Sequence, residues 1–349
     1  MYKKFFMGIA AMAALTLVSC SSDDLDSLSD NSSKNEAISF DGYLGRSAVA
    51  VNGSRGSVLD KTQLQNSTAG FGVFGNYSEG TKTVYGDNLF KNQPVTYDKT
   101  ESKWTYSPLK YWSTKGHIDF LAYAPYNAGK VKNTYSLDFT VPSTSAEQKD
   151  LLWAHADNQT KADKTVKFTF NHALAKIGYN VKTSVTGATI TLNRIKLAGS
   201  LDGKTKAFYK EGTIDLSKSF DDSDENLWAI SPSVEKQDFD WFSGDQPLTT
   251  PYKTPAADYL FVIPQEFSTG TELYVIVDYT ISYNDVAIAN MKSTVSSKIS
   301  KKFVHGKEYT INLTIGLTKI DFDVTDVNGW TTEADGKSDI NVDSWDDIK

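Results

Sequence analysis

Apolar and polar residues alternate with a period of two over much of this chain. Val166, Phe168 and Phe170 are separated by Lys167 and Thr169. Ile311, Leu313, Ile315 and Leu317 are separated by Asn312, Thr314 and Gly316. Leu273, Val275 and Val277 share one face, with Tyr274 and Ile276 on the other. Successive side chains of a strand point to opposite faces, so this rhythm predicts strands with one side packed inward. Residues 37–44 read as a first strand. Ile190 and Leu192 fall in one phase and Ile195 and Leu197 in the opposite one, which predicts a bulge near Asn193 and Arg194.

Turn chemistry separates these runs, with Asn-Gly or Asp-Gly pairs at 52–53, 202–203, 328–329 and 335–336. Pro142 and Pro264 stand at run edges, where no ladder donor is lost. Pro247, Pro251 and Pro255 mark one irregular loop. Helical patterns are few. Residues 145–148 resemble a capping box followed by Lys-Asp-Leu-Leu-Trp, and 171–177 fit one helical turn. Many short strands with regular turns predict an all-β protein built of sandwiches. At 349 residues the chain has the length of two domains. The change from one to the other is expected near residue 185, after a strand over 176–182, giving units of 37–185 and 186–349.

The N-terminus breaks the pattern. Lys3 and Lys4 precede an apolar run from Phe5 to Val18, then Leu17-Val18-Ser19-Cys20. A charged start, a short apolar core and small residues at its end make a secretory signal over 1–19. Leu-Val-Ser-Cys resembles a bacterial lipobox. That resemblance implies cleavage before Cys20 and acyl chains, palmitate among them, on Cys20, anchoring the precursor in the outer membrane. Each buried methylene contributes roughly 0.8 kcal/mol to such an anchor. Residues 20–36 are polar and acidic without apolar periodicity, a flexible tether. Acids just after the cysteine resemble the surface-export signal of Bacteroidota lipoproteins; a solvated linker without an address is the other reading.

Cys20 is the single cysteine, so no internal disulfide framework or thiolate metal cluster is available. The net charge is −7. Without Lys3 and Lys4, 34 basic residues face 43 acidic ones, and the charge becomes −9. A phosphate-binding surface should be basic, so nucleic acid is not an expected partner. Gly70-Phe-Gly-Val-Phe-Gly75 matches G-x-G-x-x-G, but a turn rather than a helix follows, and its aromatics make it a strand. His117, His155, His172 and His305 lie far apart, with no metal-binding spacing. There is no G-x-S-x-G elbow. Asp221-Asp-Ser-Asp-Glu-Asn226 lacks the glycine an EF-hand loop needs. No cofactor, metal or catalytic role is therefore expected. Carboxylates that spacing cannot place leave an extracellular hydrolase as a minor alternative.

Several segments form a set: Asp150-Leu-Leu-Trp-Ala154, Val166-Lys-Phe-Thr-Phe-Asn-His-Ala-Leu-Ala-Lys-Ile-Gly-Tyr179, Gly70-Phe-Gly-Val-Phe74 and Phe120-Leu-Ala-Tyr-Ala-Pro-Tyr126. Phe303-Val-His-Gly-Lys-Glu-Tyr-Thr-Ile-Asn-Leu313 and Ile320-Asp-Phe-Asp-Val324 with Trp330 complete it. Taken together, these segments resemble the Bacteroidales fimbrillins, or type V pilins. The resemblance implies two transthyretin-like β-sandwich domains in tandem with few short helices. It also implies export as a lipoprotein and cleavage outside the cell by an Arg-specific protease. The cut releases the first strand, and a C-terminal strand of another copy fills the groove. Arg46 and Arg55 are the cleavage candidates; the Gly and Ser around Arg55 favour it, because mobile loop tips are where proteases cut. Donor candidates are Ile320, Phe322 and Val324, or Ile340 and Val342, which alternate with polar residues. The implied partners are other copies and other fimbrial subunits, in an adhesive fimbrium at the cell surface. The role could be stalk, anchor or tip. A competing reading is a surface lipoprotein that binds host or dietary glycans, suggested by the lipid anchor and seven Trp.

Overall fold

A computed structural model describes residues 36–44, 61–133, 135–218, 227–249, 259–283, 286–316, 320–327 and 346–347. More than half of these residues lie in strands, and few are helical. A seven-stranded sheet has the order Ser39–Leu44, Thr165–His172, Leu152–Gln159, His117–Ala124, Phe71–Ser78, Phe90–Asp98 and Lys103–Thr105. A four-stranded sheet runs Leu260–Val262, Ala175–Thr183, Glu308–Ile315 and Ile320–Val327. A five-stranded sheet runs Phe239–Pro247, Thr189–Ala198, Leu273–Tyr283, Val286–Ile299 and Asp346–Asp347. A second four-stranded sheet joins Trp228–Ala229, Glu211–Asp215, Ser136–Thr140 and Val131–Asn133.

Two hydrophobic cores result. The first holds Ile38, Phe40, Phe71, Val73, Phe120, Ala122, Leu152, Ala154, Val166 and Phe168. The second lies between the four- and five-stranded sheets, with Ile177, Tyr179, Val181, Ile311 and Leu313 facing Ile190, Leu192, Val275 and Val277. The two cores share the middle of the seven-stranded sheet. Phe71 and Val73 point into the first core and Phe74 into the second. Phe120 and Ala122 belong to the first, Leu121 and Tyr123 to the second; Leu152 and Ala154 to the first, Leu151 and Trp153 to the second. Alternation by side therefore sorts residues between two apolar interiors rather than between core and water. All eight residues of His117–Ala124 are buried as a consequence.

The phase change at residue 193 is a real register shift, between Leu192 and Arg194 on both neighbouring strands. The G-x-G-x-x-G segment forms a strand from Phe71. Two expectations fail. The capping-box pattern at 145–148 yields only the 3₁₀ turn Ser145–Glu147 with no side-chain cap, because Leu152–Gln159 is drawn into the central sheet. Residues 171–177 are not a helical turn: strands end at His172 and restart at Ala175. Conversely, a capping box does close the 3₁₀ turn Lys161–Asp163 through Thr160 and Asp163, and Lys61–Asn66 forms a short helix that buries Leu64. The strand expected to end the N-terminal unit, Ala175–Thr183, pairs in parallel with Glu308–Ile315. Ser136–Thr140 pairs antiparallel with Glu211–Asp215. Ala175–Thr183 also pairs antiparallel with Leu260–Val262, so among the described residues strand pairing crosses between residues 37–185 and 186–349 at three places.

Candidate functional site

Ser39–Leu44 forms one edge of the seven-stranded sheet and runs parallel to Thr165–His172, with Ser39 beside Thr165, Asp41 beside Lys167 and Leu44 beside Phe170. Ile38 and Phe40 turn inward and are 1% and 4% exposed. The Phe40 ring meets those of Phe71, Phe90, Tyr106, Phe120 and Phe168 at centroid distances of 5.3 to 6.5 Å. Gly42 continues the inward face where space runs out: a Cβ there would stand 3.2 Å from the Phe170 ring and 3.6 Å from that of Phe71.

The residues just before the strand are bonded on its other side. Ile38 N donates to Lys110 O at 2.8 Å and Trp112 N to Glu36 O at 3.1 Å. The Tyr106 hydroxyl donates to Ile38 O at 2.7 Å. The hydroxyls of Ser39 and Thr165 touch at 2.8 Å. Losing this segment would open an aromatic trough and leave backbone groups on both flanks without partners. Burial of Ile38 and Phe40 contributes about 1.5–3 kcal/mol each, before any backbone bond is counted.

At the other end of the chain, Ile320–Val327 forms an antiparallel pair with Glu308–Ile315 over eight positions. Ile320 lies opposite Ile315, Phe322 opposite Leu313 and Val324 opposite Ile311; Val324 is 1% exposed. This donor candidate therefore sits in its own chain's four-stranded sheet, not beside the first strand. Cys20, Arg46, Arg55, Ile340 and Val342 lie outside the described residues.

Residues 58–330 match the family model of fimbrillin-like proteins. The chain belongs to the fimbrillin-like family. Its fold is also that of a fimbrial protein from Bacteroides vulgatus, with a TM-score of 0.60 and 21% identity over 85% of this chain and 100% of that one. A candidate cell adhesion protein from Bacteroides uniformis matches with a TM-score of 0.51 and 15% identity, covering 85% of this chain and all of its own. One from Bacteroides ovatus has the same score and identity and covers 86% and 99%. No curated protein matches the chain.

The fimbrillin-like chain also buries polar groups that its sequence pattern does not announce. Asp119 accepts from Val84 N and Asn158 N, each at 2.8 Å, and from the His117 ring at 3.0 Å. Asp150 accepts from His172 Nδ1 at 2.7 Å, with both side chains buried. Lys176 Nζ lies 3.2 Å from Glu308 and 3.6 Å from the centre of the Tyr259 ring. The Tyr85 hydroxyl donates to Asp157 at 2.9 Å and lies 3.2 Å from His155 Nδ1; the other His155 nitrogen faces Leu216 O. Burial holds the His155 imidazole below its ordinary pKa, and burial together with Asp157 pushes the Tyr85 hydroxyl up. These groups tie strands and loops together. None forms a nucleophile–base pair opening on a cleft.

Proposed function

We propose that the protein is a structural fimbrial subunit that polymerises by protease-triggered strand exchange and serves adhesion at the cell surface. It leaves the cell as a lipoprotein held to the outer membrane through Cys20. An extracellular Arg-specific protease cuts after Arg55, or after Arg46, and frees the first strand with its lipid. A C-terminal strand of another copy then fills the trough. The partners are copies of itself and other fimbrial subunits. Family membership supports this reading. The observation that carries it is the form of the first strand, an edge segment that plugs an aromatic trough with two apolar side chains and one glycine. A donated strand would satisfy both the trough and the open ladder by β-augmentation. Such a contact is head-to-tail and does not close, so it builds a filament.

The glycan-binding alternative loses support. Five of its seven Trp, at 104, 112, 153, 228 and 241, are core residues rather than stacking platforms.

The test uses the soluble Cys20→Ser precursor, treated with an Arg-specific protease, run on an unboiled SDS gel and sequenced from its N-terminus. The expected outcome is a new start at Gly56 or Ser47 together with a ladder of multimers. A trimmed chain that stays monomeric overturns the proposal.

A further inference from the structure

We infer that residues 340–345 of one copy enter the trough of the next in the register of residues 38–43, position for position. This rests on the strand-exchange reading above and settles which segment enters and how it lies. The first strand reads Ile38-Ser-Phe-Asp-Gly-Tyr43 and the C-terminal segment reads Ile340-Asn-Val-Asp-Ser-Trp345. Isoleucine matches isoleucine and aspartate matches aspartate. A polar residue matches a polar one, an apolar residue an apolar one, a small residue the glycine and an aromatic the tyrosine.

Each match answers a demand of the trough. Ile340 takes the place of Ile38, which is almost fully buried. Asn341 falls beside Thr165, where Ser39 now makes its hydroxyl contact. Val342 takes the place of Phe40 among five rings. Asp343 falls beside Lys167, as Asp41 does. Ser344 takes the place of Gly42, where a Cβ needs the Phe170 ring to give by only a few tenths of an ångström.

The rival segment, Ile320-Asp-Phe-Asp-Val324, meets the first demands and fails the last. Its valine would bring two further methyl groups against Phe71 and Leu64, both fully buried. It is also held by its own sheet over eight positions. Residues 340–345 belong to the stretch beyond that sheet. At roughly 3.3 Å per extended residue, residues 328–349 span up to about 70 Å, enough to leave one copy for another. Asp346–Asp347 pair with Ser296 and Val295 of their own chain, so donation gives up a two-residue contact.

Disulfide trapping between two differently tagged copies tests the register, both in the Cys20→Ser background so that no other thiol is present. One copy carries Thr165→Cys, the other either Asn341→Cys or Asp321→Cys. After Arg-specific cleavage and mixing under mild oxidation, the 341–165 pair is expected to cross-link between copies and the 321–165 pair is not. Val342→Phe restores the lost ring contacts and is expected to raise the temperature at which the ladder dissolves; Val342→Asp abolishes the ladder. Multimers that form without the 341–165 link, or that link through 321, overturn the register and leave strand exchange standing. Cleaved chains that form no multimers overturn strand exchange, and the register with it.

Discussion

Phe40 is the residue on which the first core closes: five rings surround it, and each meets another of the five or the remaining core. Truncation leaves a cavity that such an interlocked set cannot collapse into. Phe40→Ala is expected to destabilise the uncut protein by about 3–5 kcal/mol, read by urea unfolding. Asp119 carries a different load, since its carboxylate satisfies two backbone amides and one imidazole. Asp119→Ala leaves those donors buried without an acceptor and is expected to cost about 3 kcal/mol or more in the same assay. His155 makes stability depend on pH. Its folded-state pKa is depressed by burial from the ordinary 6.5, so the unfolded chain binds the proton more readily. The stability it contributes is present above pH 6.5 and is lost as the pH falls through the folded value. Urea midpoints should therefore drop on acidification from pH 7.5 to 5, and His155→Gln should reduce that drop.

Among the elements, the first strand is the one whose release is open to direct control. Ser39 and Thr165 touch through their hydroxyls, which places them for a cross-link. Ser39→Cys with Thr165→Cys, in the Cys20→Ser background, is expected to form a disulfide in the uncut protein. After cleavage the strand then stays in its trough, multimers do not form, and a reductant restores them. Strand identity was largely legible in the sequence wherever one side faces water, as in Glu308–Ile315, where buried and half-buried residues alternate without a break. The bulge at 193 was legible for the same reason: a one-residue slip moves every later side chain to the other face. The segment after 145 was misleading because a capping pattern is local, whereas Leu152–Gln159 is fixed by its neighbours in the central sheet. The aromatic trough itself was not legible. Its rings come from residues 71, 90, 106, 120 and 168, and no spacing along the chain announces that they meet around Phe40.

At the scale of the whole molecule, the shared sheet decides how the protein comes apart. Trp153 faces one core and its neighbours Leu152 and Ala154 face the other, so neither core unfolds without stripping a face of the same strands. A single calorimetric transition is expected for the uncut protein, and Trp153→Ala should lower it as one peak rather than split it; two resolved peaks would contradict the shared sheet. The parallel seating of Ser39–Leu44 has a mechanical consequence. A pull along that strand loads its side-by-side backbone bonds together, in shear, and must drag the inward side chains past the rings at the same moment. A pull across the strand would peel the bonds one by one. Any strand lying in that trough in the same direction therefore meets lengthwise tension in its stiffest mode, which suits a noncovalent joint subjected to flow.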